Sequence, residues 1–495
     1  MKIYIINHNF HYEIENLTRV FFPNEKIEII KDSFPNEVDT DYILTEIDNE
    51  NGKNVSVKIN LGNVIDSCTD LVEFENFKED YTAEQERKMA ICLYKLLTAY
   101  TGMIPPWGIL TGVRPIKLFR RLTEQYGLEY TKDYFKNSLL VTDEKITLAE
   151  ETEKNERAIL SLSNNDSYSL YVSIPFCPSR CSYCSFVSQS VEKAKKLIEP
   201  YVELLCEELE YTAKIAKDLK LKLETVYIGG GTPTTLNAQQ LERLISVINK
   251  NFPMERCKEF TVEAGRPDTV TKDKLQTLIS GGVDRISINP QTMNDNILVD
   301  IGRKHTAQQT IDAFNMARET GFKHINMDLI VGLPNEDFES FKNTLDIITG
   351  LNPESITVHT LSMKRSAYLT AQGMQLLKHD AEQAAKMHSY CRQLLAKKGL
   401  RPYYLYRQSR MVGNLENIGY AKKGYDGLYN VYVMDETHTI LGCGAGAVTK
   451  LKDPVTGVLQ RIFNYKYPYE YNTSFEVMLK RKEGIMEFYK EHFDK

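Results

Sequence analysis

The first sixty residues alternate short runs of β-branched and aromatic residues with polar breaks, at positions 2–6, 27–30, 42–47 and 55–61. Such runs read as strands, and Asn51-Gly52 supplies a hairpin turn between the last two. From 82 to 100 the spacing changes. Met89, Cys92, Leu93, Leu96 and Leu97 recur at helical intervals and predict an amphipathic helix that Pro105-Pro106 ends. A largely helical stretch follows to about 162, and a polar linker occupies 163–167. Six β-rich runs then alternate with helical segments: 168–174, 224–228, 259–264, 285–289, 324–331 and 355–361. That alternation is the pattern of repeated βα units with parallel strands. The last 130 or so residues hold a helix over 380–398, a tyrosine-rich stretch, a glycine cluster (Gly442-Cys-Gly-Ala-Gly446) and a terminal helix, as a smaller α+β domain would. The expected division is 1–162, 163–365 and 366–495.

Length and composition narrow the class. At roughly 150 residues per domain, 495 residues allow about three folding units. Hydrophobic residues at 42% and charged residues at 26% exclude a disordered or fibrous chain. A net charge of −6 argues against nucleic-acid binding through a broad positive surface. No apolar run approaches the roughly 20 residues of a membrane span, and no signal-peptide core is visible. Nine cysteines in such a chain are expected to be reduced thiols in a cytoplasm.

Three of those cysteines stand apart. In Ile174-Pro-Phe-Cys-Pro-Ser-Arg-Cys-Ser-Tyr-Cys-Ser-Phe186, Cys177, Cys181 and Cys184 form a C-x3-C-x2-C run. Three thiolates on one loop suit three irons of a [4Fe–4S] cube and leave the fourth iron open to a small molecule. Zinc is the alternative, but a structural zinc site prefers four ligands, and no further Cys or His lies within twenty residues. The remaining six (Cys68, Cys92, Cys206, Cys257, Cys391 and Cys443) read mostly as small core residues.

Polar residues also gather at the carboxyl ends of the apolar runs. The second runs into Gly229-Gly-Gly-Thr-Pro233, where glycines let backbone amides approach a ligand or simply make a tight turn. The third ends at Glu263, the fourth at Gln291 and the fifth at Asp328. Five polar features on one edge of a parallel sheet fit a βα barrel, whose sites lie on that edge, better than a doubly wound sheet with one switch point.

With the cysteine loop, the glycine loop, Thr261-Val-Glu-Ala264 and Asp328-Leu-Ile-Val-Gly-Leu-Pro334 in hand, the chain resembles the radical S-adenosylmethionine (SAM) enzymes. Within them it resembles the oxygen-independent coproporphyrinogen III oxidases. Leu110-Thr-Gly-Val-Arg-Pro-Ile-Lys-Leu118 and Arg410-Met-Val-Gly-Asn-Leu-Glu-Asn-Ile-Gly419 resemble its HemZ-type subgroup. The resemblance implies an α/β fold: a three-quarter (βα)6 radical SAM barrel with an N-terminal α+β extension and a C-terminal α+β domain. It implies that Cys177, Cys181 and Cys184 hold a [4Fe–4S] cluster whose open iron binds SAM. Tyr171, Gly230, Gly231, Thr232 and Glu263 match positions around that SAM. Gln291, Arg303 and Asp328 match positions around a second nucleoside, so one or two SAM molecules are expected. The stretch up to Val448 resembles the segment that closes over these ligands.

The implied chemistry is one-electron cleavage of SAM, hydrogen abstraction from a propionate of coproporphyrinogen III, and loss of carbon dioxide to leave a vinyl. The implied partners are the tetrapyrrole and a low-potential donor such as flavodoxin or ferredoxin, for a monomeric cytoplasmic enzyme of haem biosynthesis. Arg303, Lys304, Arg401, Arg407, Arg410, Lys422 and Lys423, with nearby tyrosines, are candidate contacts for the tetrapyrrole carboxylates. The same branch contains haem chaperones, and another radical reaction on a tetrapyrrole is the third reading. Oxidases carry a further cysteine where this chain has Phe186, as the chaperones do; the chaperones carry a His-Asn-x-x-Tyr-Trp stretch whose counterpart here, Tyr429-Asn-Val-Tyr432, lacks the histidine.

Overall fold

A computed structural model describes residues 1–36, 39–48, 53–72, 81–186, 188–362, 378–453 and 455–493. The Asn51-Gly52 turn and the boundary expected at 365/366 lie outside them. The chain forms two compact units: Met1–Glu150 with Met374–Ala385 and Tyr406–Glu416, and Glu151–Gly373 with Lys386–Leu405 and Asn417–Lys495.

The first unit is built on a five-stranded sheet. β1 (Lys2–Ile6) leads into helix α1 (His11–Phe21), then β2 (Glu28–Lys31), β3 (Tyr42–Ile47), β4 (Asn54–Leu61) and β5 (Val64–Leu71), in the order β2-β1-β3-β4-β5. The four predicted strands are present. α1 and β5 were not foreseen, β5 because its outer position leaves most of its residues exposed and blurs the alternation of a half-buried strand. The amphipathic helix is α2 (Tyr81–Thr101), whose Met89, Leu93 and Leu97 are fully buried in the core shared with β1, β3 and β4. Helices α3 (Pro115–Tyr126), α4 (Leu128–Asp133) and α5 (Asp143–Leu160) complete the helical stretch.

The second unit contains all six predicted βα strands. They are β6 (Ser167–Ile174), then, after the short strands β7 (Phe176–Cys177) and β8 (Gln189–Ser190), β9 (Lys222–Gly230), β10 (Glu259–Glu263), β11 (Arg285–Ser287), β12 (His324–Val331) and β13 (Ser355–Thr360). Each pairs in parallel with the next, in the order β6-β9-β10-β11-β12-β13. Neighbours in sequence are neighbours in space, so the strand order has no reversal of the kind that defines a doubly wound sheet. Helices α6 (Val191–Asp218), α7 (Ala238–Asn251), α8 (Lys272–Ser280), α9 (Asp295–Asp300), α10 (Ala307–Thr320) and α11 (Phe338–Leu351) supply the crossovers. Capping boxes open α7 (Asn237 with Gln240) and α10 (Thr306 with Gln309), which fixes where those crossovers begin.

The later strands build no sheet of their own. β14 (Arg401–Tyr406) and β15 (Asn417–Ala421) extend one edge beyond β13; β16 (Thr439–Cys443), β17 (Val448–Lys452) and β18 (Leu459–Phe463) extend the other beyond β6. The result is a single eleven-stranded sheet. Among the described residues no helix is long and apolar enough to cross a membrane.

Candidate functional site

The six parallel strands alternate strictly. Leu170, Val172, Val226, Ile228, Phe260, Val262, Ile286, Met327, Ile356 and Val358 are buried on the face that takes the helices. The alternate positions are polar and bond to one another across the strands. Ser169 and Thr225 hydroxyls lie 2.7 Å apart, and Tyr227 donates to Glu263. Asn289 donates to Glu263 Oε2 (3.0 Å). Asn326 donates to Ser287 Oγ (3.1 Å) and to Asp328 Oδ1 (2.8 Å), and accepts from Ser355 (3.0 Å). His359 Nε2 lies 3.6 Å from Asp328 Oδ2. Closed βα barrels fill this face with Val, Ile and Leu. Here it is polar, and its groups bond largely to one another.

Beyond its floor sits a plug. The helix Leu428–Asp435 begins at Glu259, whose carboxylate accepts from the amides of Leu428 (2.6 Å) and Tyr429 (3.3 Å). Tyr429 stacks on Tyr227 (4.4 Å between centroids) and on Tyr171 (6.2 Å). Arg285, fully buried, donates to His324 Nε2 (3.1 Å). Burial, reinforced by Arg285, drives that imidazole down to about 2, so His324 stays neutral and accepts.

At the carboxyl edge, β6 runs through Pro175 into β7 and the cysteine loop. Gly231 and Thr232 donate their amides to the carbonyls of Ile174 and Phe176 (2.7 Å each). A Cβ on Gly231 would lie 2.6 Å from the Phe176 oxygen, so only glycine lets β9 approach the loop this closely. This corrects one expectation: those two amides are spent on the cysteine strand rather than held out to a ligand. Thr232 Oγ1 reaches Cys177 Sγ at 3.5 Å. Arg266, which the sequence reading missed, donates to Ser179 and lies 3.8 Å from Cys181 Sγ. Ser182 N bonds Ile301 O, and Cys184 N bonds Cys181 O.

The three thiols are free, with Cys181 buried and Cys177 and Cys184 partly exposed. Burial pushes the Cys184 thiol up to about 11. Among the described residues no three His, Cys, Asp or Glu side chains are arranged to hold a single metal ion. Three soft thiols on one braced loop, with a guanidinium beside one of them, are nevertheless the donor set for three irons of a cubane.

Glu263 and Asp328 titrate apart. Burial, and next the Asp328 charge, push Glu263 up to about 7, against the bonds it accepts from Tyr227 and Asn289. Burial acts on Asp328 too, but His359 and Asn326 hold its carboxyl below the ordinary value. Arg303 makes its bonds away from Asp328. Its guanidinium donates to Tyr183 (3.2 Å) and to the carbonyls of Gly265 (3.1 Å) and Asn289 (2.6 Å). Gln291 adopts a left-handed φ of 68°, pairs its backbone with Asp328 and Ile330, and keeps a buried Oε1 with no partner among the described residues. Glu263, Gln291, Arg303 and Asp328 therefore share one edge of the polar face with the cysteine loop, whereas Tyr171 lies one row nearer the floor, level with Tyr227, Arg285 and His324. Val448 opens β17, paired with Phe463 and with its backbone against Gly442, the β16 residue that pairs with Tyr171. Several candidate substrate cations are spent structurally: Arg401 on Asp426, Lys422 on Glu354, and Arg407 on the carbonyls of Leu110 and Gly112.

Residues 171–348 match the family model of the radical SAM superfamily. The chain belongs to that superfamily, which uses a [4Fe–4S] cluster and SAM. It is 35% identical over 480 residues, 94% of its own length and 93% of the relative's, to the oxygen-independent coproporphyrinogen-III oxidase-like protein HemZ of Bacillus subtilis, and it belongs to that family within the superfamily. It is also 34% identical over 281 residues to the heme chaperone HemW of Lactococcus lactis, covering 56% of this chain and 68% of the chaperone. Among solved structures, the coproporphyrinogen III oxidase HemN of Escherichia coli superposes with a TM-score of 0.52 at 22% identity, over 65% of this chain and 72% of that one, which places the fold.

Proposed function

We propose that the chain is an oxygen-independent coproporphyrinogen III oxidase, converting propionates to vinyls by radical decarboxylation to give protoporphyrinogen IX in haem biosynthesis. The observation that carries this reading is the polar inner face opening beside the cysteine loop, with Glu263, Gln291, Arg303 and Asp328 at its rim. A cluster held by Cys177, Cys181 and Cys184, with SAM and an electron from a flavodoxin- or ferredoxin-type donor, would supply hydrogen-atom abstraction from the propionate, and the electron released with carbon dioxide would pass to a one-electron acceptor.

The chain's own residues do the rest. Glu263, poised near neutrality, offers a carboxylate to a cationic amino group, and Tyr171 backs it through the Tyr227 stack. Arg303 is locked by three oxygen acceptors, and Gln291 holds an unspent acceptor, so both are preorganised for a polar ligand. The second reading, a haem carrier, is favoured by the similarity to HemW. Against it, Tyr429 and Tyr432 of the Tyr-Asn-Val-Tyr stretch are both buried, Tyr429 inside the tyrosine stack and Tyr432 against His438.

The test is an anaerobic assay of iron-reconstituted protein with coproporphyrinogen III, SAM and a reductant, read by porphyrin mass. Turnover to the divinyl product is expected, abolished by Cys177→Ala, Cys181→Ala or Cys184→Ala and kept by Cys206→Ala and Cys391→Ala. Stoichiometric haem binding with untouched porphyrinogen would decide for the carrier.

A further inference from the structure

Two stretches that the barrel chemistry leaves unused, 110–118 and the 410–416 part of 410–419, meet in the first unit. Buried Arg407 joins them: its backbone amide donates to Val113 O (2.8 Å) and its Nη1 to Leu110 O (2.5 Å). Together with α1 and the turn after it, they enclose a cavity of about 800 Å³. That lies in the upper part of the range for small-molecule sites. Its walls are mixed, and their apolar and aromatic part comprises residues such as Tyr12, Val20, Phe22, Met103, Val113 and Met411.

Donors stand on two walls: Asn16 and Asn24 from the α1 side, where Arg19 is already paired with Glu15 (2.7 Å), and Gln408, Arg410 and Asn414 from the other. Arg410, Gly413 and Asn414 all take left-handed φ (59°, 61° and 53°), a conformation uncommon for Arg410 and ordinary for the other two. Asn414 Nδ2 is a buried donor with no partner among the described residues. The single acidic side chain on the wall, Glu25, lies 4.0 Å from the amino terminus.

We infer that this cavity is a second tetrapyrrole site, taking a large apolar macrocycle whose carboxylates meet the donors on both walls. Only the choice of tetrapyrrole rests on the oxidase reading. Trp107, the one tryptophan, is fully buried in this unit with the Arg407 guanidinium 5.7 Å from its ring, so its emission reports on the wall.

The experiment titrates cluster-free protein with coproporphyrin III and, separately, protoporphyrin IX, reading Trp107 quenching. Saturable one-site quenching is expected, weakened at least tenfold by Arg410→Asn and by Asn414→Asp, both of which tolerate the left-handed backbone. Cys206→Ala should bind as the parent does, and the tighter of the two porphyrins identifies the substrate or the product as the natural source. Unchanged binding in both variants at unchanged melting temperature, or equal competition by a long-chain fatty acid, would overturn the inference. A decarboxylation assay on the reconstituted sample separates the two readings. Quenching without turnover sinks the oxidase and leaves the cavity; turnover without quenching does the reverse.

Discussion

At the scale of single residues, the Glu263–Asp328 pair governs the site's response to pH. Asp328 is held ionised by His359 and Asn326, and its charge adds to burial in raising Glu263 to about 7. Glu263 is thus raised above its unfolded value. The stability tied to its neutral form is full below about 4.5 and lost as pH climbs through about 7. Glu263→Gln keeps a neutral group there at every pH. The variant apoprotein should gain roughly 3 kcal/mol over the parent at pH 8, about 1 kcal/mol at pH 5.5 and almost nothing at pH 4, measured by urea unfolding. Equal differences at all three pH values would refute this assignment. The cysteines, Glu263, Gln291 and Asp328 were legible as polar residues in or after apolar runs. Their partners were not. His359 reaches Asp328 from the next strand, and Arg303 is fixed by two backbone carbonyls that no side-chain pattern encodes.

At the scale of elements, all six core strands were readable because each carries an unbroken outward row of β-branched or large apolar residues. The inward row was equally visible. His324, Asn326 and Asp328, then Ser355, Thr357 and His359, repeat at period two, but attention to strand ends alone passes over it. The plug helix Leu428–Asp435 shows how that inner face is finished at the floor. Its cap residue, Gly427, offers no side chain, so Glu259 from β10 does the capping. Glu259→Ala should cost about 1–3 kcal/mol and loosen the tyrosine stack, visible as a loss of near-ultraviolet circular dichroism. Full retention of both would mean that the plug is held by packing alone.

At the scale of the second unit, one buried ion pair ties the terminal helices to the glycine cluster and the barrel. Lys482 Nζ lies 2.9 Å from Glu208 Oε1, and both side chains are almost wholly buried. Glu208 also accepts from Gly444 N (2.7 Å), Asn464 (2.7 Å) and Tyr471 (2.6 Å). Gly444, at φ 92°, passes where a Cβ would meet the Ser173 carbonyl at 2.5 Å, so this network holds the β16–β17 turn against the end of β6, three residues before β7. Lys482→Met would strand the Glu208 charge and should destabilise the protein by about 3–5 kcal/mol. Its iron content after reconstitution should fall in step with the folded fraction; a fully folded variant with normal iron content would show that the turn needs no such anchor.

The account's central claim is that the polar face presents a propionate-bearing carbon for hydrogen abstraction. Coproporphyrinogen III deuterated at the propionate carbon next to the ring tests it directly, with the 5′-deoxyadenosine product analysed by mass after anaerobic turnover. One deuterium transferred per vinyl formed is the predicted result. Unlabelled 5′-deoxyadenosine beside unchanged substrate would contradict it.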